Sequence, residues 1–145
     1  MYFVDREKIE QTLLCLESHL DLYHQQPEWV SSIERKALER ITHIVIEAIL
    51  DVGNSMIDGF IMRDPGSYED IIDILEDEKV VNTTHASQLK QVIKMRKNIV
   101  QEYLEIDHSE VSQIIKDNES ALSSFSANIR SYLENELGPV SAFKN

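Results

Sequence analysis

Between Leu38 and Phe60 the apolar residues return every three or four positions, and they do so on two faces at once. One face holds Leu38, Ile41, Val45, Ile49, Val52, Met56 and Phe60, and the other holds Ile46, Leu50, Gly53 and Ile57. This is the α-helical period. It predicts one long helix from about Glu28 or Ser32 to Ile61, spanning about 45–50 Å if unbroken. A helix that is apolar on two faces is buried on two sides. One side meets its own bundle, and the other is free to meet a second subunit. The remaining stripe carries Glu47, Asp51, Asn54 and Asp58. A solvated acidic face is the simpler reading of it than a metal site. A third reading pairs Glu47 or Asp51 with an arginine across the bundle.

The rest of the chain follows the same period. With only 4 Gly and 3 Pro in 145 residues, few turns and long elements are expected. Asp5 to Tyr23 reads as a first helix, with Ile9, Leu13, Leu16 and Leu20 inward and Leu14, Cys15 and Leu22 widening the stripe. Pro27 ends it, and Trp29 beside the turn is expected to anchor the core. Arg63-Asp64-Pro65-Gly66 is a turn signal. Ser67 is placed to cap a short third helix that runs to about Glu78 with Ile71, Ile74 and Leu75 inward; Glu69 and Asp70 in its first turn suit the helix dipole. Asn82-Thr83-Thr84 opens a fourth helix, expected to reach Leu104. A fifth is expected from Ser109 to Leu137, stopped by Gly138-Pro139. The prediction is an all-α, antiparallel up-and-down bundle of about five helices with a four-helix core. Residues 1–137 form a single domain and residues 138–145 a loose tail.

Length and charge narrow the function. A chain of 145 residues can bury a real core. The single Cys15 allows no internal disulfide and fits a reducing cytosol. The opening residues MYFVDREK show no signal-peptide pattern, and no apolar run approaches the roughly 20 residues of a membrane span. A cytoplasmic protein is expected. The net charge of −12 argues against broad binding to nucleic acid or anionic membranes. Any RNA contact has to be local.

One stretch supplies that local contact. In the fourth helix Leu89, Val92, Ile93, Ile99, Val100, Tyr103 and Leu104 form the apolar stripe, and Arg96 falls on it. An unpaired buried charge is costly, so Arg96 must find a partner or line a cleft. Lys90, Lys94, Lys97 and Gln101 form a second, cationic ridge.

Residues 96–103 read Arg-Lys-Asn-Ile-Val-Gln-Glu-Tyr. This resembles the R-N-x-x-x-H-x-Y motif of HepT-like proteins in the HEPN superfamily. Arg96 and Tyr103 match; Lys97 stands where the family has asparagine and Gln101 where it has histidine. Pro65 to Leu75 (PGSYEDIIDIL) resembles the family's proline-Ser-Tyr segment, and Leu50 to Ile57 (LDVGNSMI) its Gly-Asn helix. The resemblance covers most of the chain.

What it implies is metal-independent RNA cleavage in a dimeric cleft where two motifs face each other. No cofactor and no metal is implied. The motif histidine would act as acid/base at the ribose 2′-hydroxyl and the arginine would hold the phosphate. Imidazole titrates near neutral pH, and guanidinium grips phosphate with paired donors. Gln101 can hydrogen-bond but cannot move a proton, so weak or absent activity is expected. The resemblance further implies a partner, a minimal nucleotidyltransferase that adds AMP to the motif tyrosine, here Tyr103. Candidate site residues are therefore Arg96, Gln101 and Tyr103 for catalysis, with Lys97 and Asn98 for binding nucleotide or RNA.

The alternatives are a non-catalytic HEPN dimer that binds nucleotide, RNA or a protein partner, and a plain structural bundle. Geometry bears on the choice: in a straight helix positions 96 and 101 point about 140° apart. Using both in one site needs a bent helix end or a second chain. A buried ion pair between Arg96 and a helix-two carboxylate is the structural alternative to a cleft. Glu105-x-x-His108 matches half of a di-iron pattern, but a single copy at a helix end reads as a cap or a surface cluster.

Overall fold

The computed structural model describes residues 3–138; residues 139–145, with nearly all of the expected tail, lie outside the described residues. Six α-helices and one π-helical turn occupy the described chain: α1 (Arg6–Gln25), α2 (Ser32–Gly59), α3 (Tyr68–Asp77), α4 (Thr83–Ile93), the π turn (Lys97–Gln101), α5 (His108–Asp117) and α6 (Glu119–Leu137). There is no strand among the described residues.

The long helix α2 is the axis of the bundle. Its start is fixed by a reciprocal cap: Ser31 Oγ accepts from the Glu34 amide at 3.1 Å, and Glu34 Oε1 accepts from the Ser31 amide at 2.8 Å. Hydrogen bonds from the Ser31 and Val30 amides hold the Glu34 carboxyl below the usual carboxylate range. Both apolar faces of α2 are buried within the single chain, among α1, α3 and α5. The expectation that one of them waits for a second subunit is corrected here: the chain's own helices cover both.

Close approach sets the α2–α3 contact. A methyl group at Gly53 would collide with Ile71 Cγ2, so only glycine lets the two backbones meet at this distance. Helix α2 stops at Gly59, two residues short of the expected Ile61, because Ile61 takes a left-handed backbone with φ 54°. In the turn that follows, Arg63 grips Asp70 with two hydrogen bonds of 2.8 and 2.9 Å. The Gly66 amide donates to the same carboxylate, and Ser67 caps α3. Arg63 and the Gly66 amide hold the Asp70 carboxyl down at about 2.

Two expected helices are broken. The fifth divides at Asn118, whose buried side chain donates back to the Ile114 carbonyl at 2.8 Å. The new helix start is capped from across the bundle, where Gln88 Oε1 accepts from the Ala121 amide at 2.9 Å. The fourth ends at Ile93, eleven residues before Leu104, and is followed by the π turn. Cys15 is exposed, as are Leu14 and Leu22, so these three lie outside the α1 core stripe of Ile9, Leu13, Leu16, Leu20 and Tyr23. Trp29 does anchor the loop: it packs on the core and stacks on Tyr23, ring centroids 5.8 Å apart.

Candidate functional site

The site is built where the chain leaves α4. The Glu102 amide bonds to the Lys97 carbonyl at 2.9 Å, five residues back, which closes a π turn rather than an α turn. Such turns hold about one residue more than an α turn and concentrate at functional sites. The extra residue turns Gln101 back toward the side of Arg96, reducing the offset of about 140° that a straight helix would impose. Asn98 ends the turn: its Nδ2 donates to the carbonyls of Glu102 at 3.0 Å and Glu105 at 2.9 Å.

Arg96 points at α2. Its Nε donates to Glu47 Oε1 at 2.7 Å, and its guanidinium lies over the Tyr68 ring, 4.6 Å from the centroid. The pairing anticipated with a helix-two carboxylate therefore exists, and Glu47 rather than Asp51 makes it. The pair is not sealed from water: the Arg96 side chain keeps 21% of its surface exposed and Glu47 keeps 30%. The Glu47 hydrogen bond raises the Arg96 pKa further, so the guanidinium is always charged. Its Nη groups make no hydrogen bond among the described residues. Those are the donors that a phosphate would take.

The other motif residues diverge. Lys97 is exposed and faces Glu102 at 3.7 Å. Asn98 spends its amide on the turn itself. Gln101 is exposed and has no hydrogen bond to Arg96. Tyr103 and Leu104, expected on the core stripe, stand in the turn after the π segment, 63% and 90% exposed. Tyr103 is therefore not directed with Arg96 by a shared helical face, because the helix does not continue to it.

Two histidines join the site that the motif did not indicate. His43 Nε2 lies 3.5 Å from Glu47 Oε1, the same oxygen that receives Arg96. His108, the first residue of α5, puts Nε2 2.7 Å from Glu39 Oε2. Glu39, His43 and Glu47 occupy successive turns of one face of α2, so the segment from Arg96 to His108 runs along a carboxylate–imidazole–carboxylate stripe. The i, i+4 spacing of His43 and Glu47 was readable in the sequence. What was lacking was the fact that Glu47, not Asp51, meets Arg96. Glu105 contributes only its carbonyl, to Asn98, and His108 pairs with α2, so this E-x-x-H sequence serves to pin a loop.

Comparison with known proteins bears directly on this arrangement. The family model described as Ribonuclease HepT-like matches residues 9–129. The chain belongs to the HepT-like family. A Bacillus subtilis (strain 168) protein named "Putative RNase YutE" is 58% identical over 144 residues, which is 99% of this chain and 100% of that one. The solved structure of YutE, described as a cytosolic protein of unknown function, superposes with a TM-score of 0.95 over 99% of this chain and 100% of that chain. A toxin–antitoxin crystal structure with AMP-PNP has a TM-score of 0.79 at 14% identity, covering 87% of this chain and 99% of that chain. A tri-AMPylated Shewanella oneidensis HEPN toxin in complex with its MNT antitoxin reaches 0.71 at 17% identity, covering 86% of this chain and 95% of that chain. At these low identities the last two establish the shared helical fold. No helix among the described residues is long and apolar enough to cross a membrane.

Proposed function

We propose that this HepT-like chain is a slow, metal-independent endoribonuclease that works as a cytoplasmic homodimer. One observation carries the reading: Arg96 is held just before the π turn, charged, part-open, and with its Nη donors unspent. A guanidinium so placed binds the phosphodiester and offsets the charge that develops on it. The rate is slow because Gln101 cannot move a proton. The family and the toxin–antitoxin complexes that share the fold support the kind of partner, a small nucleotidyltransferase. Tyr103, exposed in its turn, is open to AMP transfer from such an enzyme. Lys97, next in sequence to Arg96, is exposed and adds a positive charge nearby, while Asn98 holds the turn.

The test is cleavage of single-stranded RNA in excess EDTA by the purified protein and by Arg96→Ala. Slow cutting that Arg96→Ala reduces about 100-fold or more supports the reading. Good cutting that survives Arg96→Ala rules it out. The second reading is a non-catalytic dimer that binds nucleotide or RNA, favoured by the exposed, uncoupled Gln101. It wins if neither protein cuts while RNA is bound in an Arg96-dependent way.

A further inference from the structure

We infer that His43, on α2 and outside the motif, is the group that takes the proton from the ribose 2′-hydroxyl in this protein. The inference rests on the ribonuclease reading above and supplies what position 101 lacks. Three side chains from two separate segments meet at one oxygen. Glu47 Oε1 accepts Arg96 Nε at 2.7 Å and faces His43 Nε2 at 3.5 Å, so the imidazole and guanidinium edges are no more than about 6 Å apart. A phosphodiester held on the free Nη donors of Arg96 brings its adjacent ribose to the same side of α2. The His43 side chain is 29% exposed, open enough to meet a substrate and buried enough to keep its orientation.

The neighbours suit proton uptake. Glu47 lies one turn on in α2 and faces the ring edge that carries Nε2, so an imidazolium formed at His43 sits beside a carboxylate. A base beside a carboxylate, next to the group that holds the developing charge, resembles the general arrangement for activating a hydroxyl. The other charged groups around it are accounted for. Arg96 comes from the motif segment with Tyr68 of α3 beneath it. Glu39, one turn back, is held by His108 of α5 and by Lys36. The contact that His43 makes among the described residues is the 3.5 Å approach to Glu47, and no hydrogen bond there ties up either ring nitrogen.

The step balances without a metal. The 2′-oxygen bonds to the adjacent phosphorus as its proton passes to His43, and the bond from phosphorus to the 5′-oxygen breaks. The departing 5′-oxygen takes a proton from water. The products are a strand ending in a 2′,3′-cyclic phosphate and a strand beginning with a 5′-hydroxyl. His43 returns its proton to solvent.

The experiment follows a single-stranded oligoribonucleotide in EDTA, reading the cyclic-phosphate product. His43→Gln keeps the size and polarity of the side chain and removes the titration. It should lower the rate by about 100-fold or more while RNA affinity stays within about twofold. His43→Ala should regain at least about tenfold when free imidazole is added, a rescue that a structural role would not show. If the wild type cuts, Arg96→Ala abolishes the cut, and His43→Gln stays within about threefold of wild type, the role of His43 is refuted and the ribonuclease reading stands. If the wild type makes no cyclic-phosphate product at all, the ribonuclease reading fails and the role of His43 fails with it.

Discussion

Arg96 answers two demands at once, and the residues around it show how. Its Nε satisfies Glu47, which keeps a half-buried charge compensated, and its Nη groups stay available. Restoring the two departed motif positions tests what is left to gain. Lys97→Asn with Gln101→His should raise metal-independent cleavage by at least about tenfold, the low end of what one acid/base group contributes. Arg96→Ala in that background should remove the gain. For Tyr103 the expected outcome is AMP addition by a cognate nucleotidyltransferase with ATP, seen by intact mass and lost in Tyr103→Phe; unchanged modification in that variant would move the acceptor elsewhere. Asp70 gives a pH-dependent prediction. Its folded pKa, about 2, lies below the ordinary 3.8, so the ionised form contributes stability above the ordinary value and loses it as pH falls through about 2. Arg63→Ala should move the Asp70 titration, followed by carboxyl NMR, up toward the ordinary range.

Among the elements, the caps and core stripes were readable because they depend on local chemistry. Ser67 caps α3 as expected, Asn82 stands at the start of α4 where a helix is expected to open, and Leu38, Ile49, Leu75 and Leu89 of the expected stripes are fully buried. The misreadings share a physical cause. Tyr103 and Leu104 have helical spacing, but spacing does not report which carbonyl an amide chooses. The Glu102 amide reaches back five residues, and Asn98 then ties off the turn. Leu14, Cys15 and Leu22 sit at the edge of an apolar face, where only the neighbouring helices decide coverage. The spacing of His43 and Glu47 gains its meaning only because Arg96, from another segment, reaches the same carboxylate. Gly53 offers a clean test of packing. Gly53→Ala improves local helix propensity by about 1 kcal/mol, yet drives a methyl into Ile71. The clash costs about 1–3 kcal/mol, so the balance should be a net loss of up to about 2 kcal/mol in denaturant unfolding.

At the level of the whole molecule, α2 explains the bundle but not the assembly. With both of its apolar faces covered internally, a dimer has to use side chains that the monomer leaves outside, such as Val30, Ile33 and Leu104. Light scattering at micromolar concentration should give twice the chain mass of 16.8 kDa. A clean monomer would count decisively against the dimeric cleft, and Ile33→Glu with Leu104→Glu should weaken a true dimer. The net charge of −12 opposes RNA approach away from Arg96, and added salt screens that repulsion along with the local attraction, so RNA binding through this one arginine should depend only weakly on salt. The π turn carries a consequence for how this chain tolerates changes in length. It holds one residue more than an α turn, and residues 102–107 beyond it belong to no helix, so they can absorb a shift. Shortening the chain by one residue at Val100 should therefore cost little beyond that side chain's partial packing on the core, roughly 1 kcal/mol. The same deletion would turn Tyr103 relative to Arg96, so AMP transfer to Tyr103 should respond to it more than folding does.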